Sequence, residues 1–221
     1  HASSRRFPAG SWVIENASRG KMRDLAGEFG LIVVATERTP DVDMVSVSAP
    51  RIAMYQRWGS NMDEGWTRWL LEMYGLAFTS LYSADVRAGD LGSRYDVILL
   101  ADMRAGQIVN GSANGSVPPR YAGGIGPEGV RELDAFVRSG GTLVTINRSS
   151  NFVIDELHLP VENVIEDVPR DEYFAGGAIV ELLVDPSQPV MSGMSARSKV
   201  FVGARKILRE RIPPSVGVLP R

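Results

Sequence analysis

The 221-residue chain contains no cysteine, and His1 and His158 are its only histidines. Without cysteine there is no disulfide, no thiolate nucleophile and no cysteine-ligated metal. Two imidazoles are too few for a histidine-rich metal site. Charge of one sign is also missing: 24 Lys and Arg stand against 26 Asp and Glu, a net of −2. A protein that grips nucleic acid through its phosphates needs a clear cationic surplus, so nucleic acid is not an expected partner. No apolar run reaches the roughly eighteen residues that a membrane-crossing helix requires, so no membrane partner is expected. The opening His-Ala-Ser-Ser-Arg-Arg has neither an apolar core nor a cleavage signal, and residues 1–9 are expected to be a tag remnant or linker. What is present, 44% apolar and 23% charged residues, is the composition of an ordinary globular domain.

Short Val/Ile/Leu-rich runs alternate with helical patterns. Strands are expected at Ser11–Ile14, Leu31–Ala35, Arg51–Tyr55, Ala77–Leu81, Asp96–Ala101, Gly141–Asn147, Ile179–Val184 and Lys199–Val202. Several lack polar alternation, as parallel strands covered on both faces do. The order predicts an α/β fold with a doubly wound, mostly parallel sheet. Residues 10–48 are expected to form a connecting βαβ-like segment, and 49–221 the main α/β domain. A helix over about Asn61–Tyr74 opens with an Asn61/Glu64 or Ser60/Asp63 cap signal, and Gly75 suits its end. Met62, Trp66, Trp69, Leu70 and Met73 recur at helical spacing and are expected to be its buried stripe. A second helix from Pro127 to about Ser139 turns through Gly140-Gly141 into a strand. Met103–Gly126, rich in Gly, Asn, Ser and Pro, is expected to be a long binding loop or lid. Charge is segregated: Asp155–Glu172 sums to −6 (seven acids, one Arg) and Arg197–Arg221 to +6 (seven bases, one acid), two solvated faces that can attract one another or, alternatively, a basic tail that docks on a neighbouring domain.

Gly124-Ile-Gly-Pro-Glu-Gly129 matches G-x-G-x-x-G as a string. It follows a coil instead of a strand, and Pro127 removes an amide that a pyrophosphate would need, so these glycines are expected to serve a loop and a helix start. No G-x-S-x-G is present. Arg148-Ser149-Ser150, directly after a strand, is the nearest equivalent of a nucleophile elbow. Ser149 and Ser150 are therefore weak candidate nucleophiles, with His158 the available base, and a serine-dependent hydrolase is an alternative reading. No metal motif is found, and Asp41 and Asp43 read as a turn. Sequons begin at Asn16, Asn110, Asn114 and Asn147, and matter only in a glycosylating pathway. In an open α/β sheet, ligands bind beyond the C-terminal strand ends. The loops there carry Arg57, Trp58, Asn61, Asp63, Glu64, Asp102, Arg104 and Arg148, a set suited to a polar small molecule or a peptide end. A sugar- or nucleotide-binding module using the Trp58 loop is a further alternative.

The stretch Pro50–Gly75, centred on Tyr55-Gln-Arg-Trp-Gly-Ser-Asn-Met-Asp-Glu-Gly-Trp-Thr-Arg-Trp69, resembles the C-terminal region of large bacterial zinc carboxypeptidases, the carboxypeptidase A-like metallopeptidases. In these a class I glutamine amidotransferase-like domain follows the catalytic one. Phe7–Ile14, Ser83–Leu91, Tyr95–Leu100, Pro118–Gly126 and Gly140–Val144 resemble further parts of the same region. The resemblance implies a flavodoxin-like fold, an upstream peptidase domain as partner, and an exported parent protein. It also implies zinc only in that upstream domain and no cofactor in this segment. The family's chemistry does not carry over. A peptidase zinc site needs two His and a Glu, and an amidotransferase needs a Cys where this chain has Arg148, Ser149 and Ser150. The resemblance thus implies a noncatalytic, ligand- or partner-binding accessory domain.

Overall fold

Residues 52–55, Ile-Ala-Met-Tyr, are apolar throughout, and in the computed structural model they form a strand buried on both faces: Ala53, Met54 and Tyr55 are inaccessible to solvent. The structure describes residues 7, 11–59, 61–174, 176–185, 187–191, 194–202 and 207–210. In chain order the elements are α1 (Arg19–Phe29), β1 (Ile52–Tyr55), α2 (Met62–Met73), β2 (Phe78–Leu81), α3 (Ser83–Arg87), α4 (Leu91–Arg94), β3 (Val97–Leu100) and α5 (Ala105–Val109). There follow a 3-10 turn at Pro119–Tyr121, α6 (Gly126–Arg138), β4 (Thr142–Thr145), α7 (Ser149–Glu156), β5 (Val161–Asn163), β6 (Ala178–Leu183), a 3-10 turn at Pro189–Met191, β7 (Arg197–Val202) and β8 (Leu208–Glu210).

The chain divides into two units. One comprises His1–Val47 and Ile179–Phe201, the other Ser48–Ala178 and Val202–Arg221. In the first, Ser18 caps α1 by accepting from the Lys21 amide, and Gly30 closes it at φ 62. β6 and β7 pair as a two-stranded sheet. The strands expected at Ser11–Ile14 and Leu31–Ala35 are absent, so the βαβ-like segment contains one helix and no strand among its described residues. Leu31–Val34 has the composition of a strand, but among the described residues no backbone completes a ladder with it, and composition alone does not make a strand.

The second unit holds a four-stranded sheet in the order β2-β1-β3-β4, with every pair parallel. This is an α/β architecture with helical crossovers. The strands expected at 51–55, 77–81, 96–101 and 141–147 are all present in slightly shorter form. One apolar cluster joins sheet and helices: Tyr55, Leu81, Ile98 and Leu100 from the strands, with Val86, Ile108, Leu133, Phe136 and Phe152 from α3, α5, α6 and α7. α6 lies at its centre and packs against α3, α4, α5 and β4. Gly140 ends the α6 segment at φ 100, a backbone state that side-chain-bearing residues rarely adopt.

Two further expectations need correction. The stripe Met62, Trp66, Trp69, Leu70 and Met73 faces outward and is half to three-quarters exposed. α2 turns Glu64 and Leu71 to the interior instead. Glu64 Oε1 lies 2.5 Å from Arg68 Nη2, and the same guanidinium nitrogen donates to the Ser80 hydroxyl at 3.0 Å, tying α2 to β2. Residues 103–126 are not a structureless loop: they hold α5, the first 3-10 turn and a bridge between Ser112 and Gly123. The acidic and basic stretches also meet. β5 pairs antiparallel with β8, and Arg209 forms an ion pair with Glu162 at 2.7 Å. Residues 203–206 and 211–221 of the basic stretch lie outside the described residues, as do residues 1–6, 8 and 9 of the expected remnant, Gly10 and the Ser60 cap position.

Candidate functional site

Strand order sets where a ligand could sit. β2 lies on one side of β1 and β3 on the other, so the chain reverses its direction of travel across the sheet at the β1/β3 pair. Loops leaving the C-terminal ends of these two strands diverge to opposite faces and leave a crevice between them. A cleft of about 210 Å³ lies there, lined by Arg57, Asn61, Met62 and Asp63 after β1, by Asp102, Met103, Arg104 and Gln107 after β3, and by Arg148 after β4.

Six of the eight residues expected from the sequence line this cleft: Arg57, Asn61, Asp63, Asp102, Arg104 and Arg148. Asn61 is held from two directions. Its Oδ1 accepts from the amides of Asp63 (3.1 Å) and Glu64 (3.4 Å), which caps α2, while its Nδ2 donates to the Asp102 carbonyl at 3.3 Å. Asp102 is the organising group. Its Oδ1 accepts from the Arg148 backbone N–H at 3.0 Å and from Arg148 Nε at 2.9 Å, and its Oδ2 accepts from Asn147 Nδ2 at 2.9 Å. Partial burial works to raise the Asp102 pKa, but the Arg148 guanidinium, its amide and the Asn147 side chain together outweigh it and lower the value. Arg148 is raised, first by its bond to Asp102 and in smaller part by the charge of Asp63 across the cleft. Arg104 donates its backbone N–H to Gln107 Oε1 at 3.1 Å, and its side chain is exposed.

The other two expected residues lie elsewhere. Glu64 is buried and committed to Arg68. Trp58 stacks on Tyr82 at 4.6 Å between centroids and lies 4.2 Å from the Tyr121 ring, so it belongs to an aromatic cluster beside the cleft. Met62, Met103, Gln107 and Asn147 were missed. Their signal was available in their positions next to expected strand ends, but uncharged side chains there do not stand out in a sequence.

The serine candidates are placed as follows. Ser149 is fully buried; its hydroxyl accepts from the Ile146 amide at 2.9 Å and lies 2.8 Å from the Ile146 carbonyl and 3.0 Å from that of Leu100. It thereby splices the start of α7 to β3 and β4. Ser150 is also buried, whereas His158 is exposed in the left-handed region at φ 53. Among the described residues no hydrogen bond joins His158 to either serine.

The G-x-G-x-x-G string has a packing role. A Cβ on Gly124 would stand 2.3 Å from the Ile108 carbonyl oxygen, and the neighbouring Ile125 amide donates to that oxygen at 2.9 Å. Bare backbone is needed there because the segment presses on the end of α5. Among the described residues no group of three or more Asp, Glu, His or Cys is arranged to hold a metal ion. No helix among them is long and apolar enough to cross a membrane. No protein-family model, curated protein or solved structure matches this chain.

Proposed function

We propose that this chain is a noncatalytic accessory domain that holds a small polar ligand, a carboxylate or a peptide end, in the cleft between the β1 and β3 loops. The observation that supports the reading is the coincidence of two things: the cleft lies at the reversal of strand order, and three guanidiniums with two side-chain amides and two carboxylates line it. Arg148 is occupied by Asp102, so the exposed Arg104 side chain is the group offered to an anion, with Asp63 in the same lining for a positive end. The strand order β2-β1-β3-β4 accords with a flavodoxin-like, class I glutamine amidotransferase-like domain. In this reading the domain follows a zinc carboxypeptidase-like peptidase domain in an exported parent protein, and any zinc belongs to that upstream domain.

Isothermal titration with acetate, succinate and a free dipeptide tests the ligand. Saturable binding that Arg104→Ala weakens at least about tenfold, the loss of one charge-assisted contact, is expected. Binding that ignores Arg104→Ala, or none at millimolar concentration, overturns it. The parentage is tested by the residues encoded upstream: a His-x-x-Glu-bearing domain there is expected, and any other domain refutes it.

A further inference from the structure

The outward face of α2 is the least ordinary feature of the surface. Met62, Trp66, Trp69 and Met73 are spaced four, three and four residues apart, the a/d repeat of a helix that packs along another helix. Glu64 and Leu71, on the opposite side of the same helix, are the residues its own sheet buries. The helix therefore has one face turned to the core and a complete second seam turned to solvent.

We infer that this seam is a dimer interface, occupied by α2 of a second copy of the chain running antiparallel. Area supports that occupant. Trp66 and Trp69 are 62% and 51% exposed. At about 150–250 Å² per aromatic side chain they present roughly 250 Å². Met62, Leu70 and Met73, about half to three-quarters exposed, add somewhat more. The sum, about 600 Å², reaches the lower end of what each partner contributes to a standard stable interface and the upper end of the largest patch on an ordinary monomer. The seam is also self-complementary. Antiparallel pairing about the middle of α2 sets Met62 against Met73 of the second copy and Trp66 against Trp69 of the second copy. The rim acids then meet no acid: Asp63 falls opposite Leu70 of the second copy, and Glu72 opposite Gly65 of the second copy. A two-fold interface requires this kind of reciprocity.

Sedimentation equilibrium of the 221-residue chain at micromolar concentrations tests the inference. A mass of twice 24.1 kDa is expected. Trp66→Glu, at an exposed position, should leave far-UV circular dichroism unchanged while raising the dimer dissociation constant on the order of thirtyfold. Because the chain has no cysteine, the register can be trapped. Met62→Cys with Met73→Cys should cross-link two copies under mild oxidation, and either substitution alone should not. Within one helix the two positions lie about 16 Å apart, too far for an internal bridge. A monomer at every concentration, a dimer indifferent to Trp66→Glu, or cross-linking by a single substitution overturns the inference.

Discussion

Asp102→Asn removes the group that holds the cleft's far wall, and its cost can be worked from the contacts. The carboxylate side chain is 11% exposed and accepts three hydrogen bonds: from Asn147 Nδ2, the Arg148 amide and Arg148 Nε. A hydrogen bond to a charged group contributes about 1.5–3 kcal/mol, whereas an ion pair whose basic partner is half exposed contributes little beyond about 1 kcal/mol. The asparagine keeps one acceptor oxygen. If it stays on Oδ1's position, the new amide faces Asn147 Nδ2, donor to donor; if it flips, it faces the two Arg148 donors. One or two bonds are lost either way, and a loss of about 2–3 kcal/mol follows. With an m value of about 2–3 kcal/mol/M for a chain of this size, the urea midpoint should fall by about 1 M. Tryptophan fluorescence reads the transition, with Asp63→Asn as the control, since Asp63 lines the cleft without these bonds. A midpoint shift under about 0.2 M would refute the view that Asp102 organises this wall.

Two other expectations concern backbone packing and acid stability. Gly124→Ala should destabilise by about 3 kcal/mol or abolish soluble expression, because its Cβ meets the Ile108 and Val109 carbonyls, whereas Gly115→Ala, at φ 82 with open space around it, should cost about 1 kcal/mol; equal losses in thermal melts would contradict this. Asp96 is held down to about 2, chiefly by the Arg51 guanidinium and then by the Arg51 amide. A carboxylate lowered on folding stabilises above its ordinary value near 3.8 and loses that contribution as pH falls toward about 2. Asp96→Asn should therefore flatten the stability curve between about pH 4 and pH 2, and an unchanged acid limb in urea titrations would count against the pair.

How far the sequence reveals this structure depends on which signal each residue carries. The second unit's parallel strands were legible because runs such as Val97-Ile-Leu-Leu100 are apolar without alternation and lie between polar residues, here Asp96 and Asp102. The cleft was legible for the same reason: known strand ends locate the loops, and Arg57, Asn61, Asp63, Asp102, Arg104 and Arg148 follow from position alone. The ends of α2 were written in Asn61 and Gly75, but its orientation was not. Hydrophobic periodicity assigns the apolar stripe to the interior; the spacing of Glu64 and Arg68 marks them as an i,i+4 pair, but nothing in the pattern reveals that the pair faces inward. α3, α4 and α5 are four or five residues long, too short for any period to register. β5 and β8 depend on a partner more than forty residues away.

The most direct test of ligand binding in the cleft is backbone amide NMR of the isotope-labelled chain during titration with a free dipeptide. Saturable shifts gathered on Arg57, Asn61, Asp63, Asp102, Arg104, Gln107 and Arg148 are expected. Shifts centred on Ser150 and His158, or on Trp58, Tyr82 and Tyr121, or no shifts at all, would contradict it.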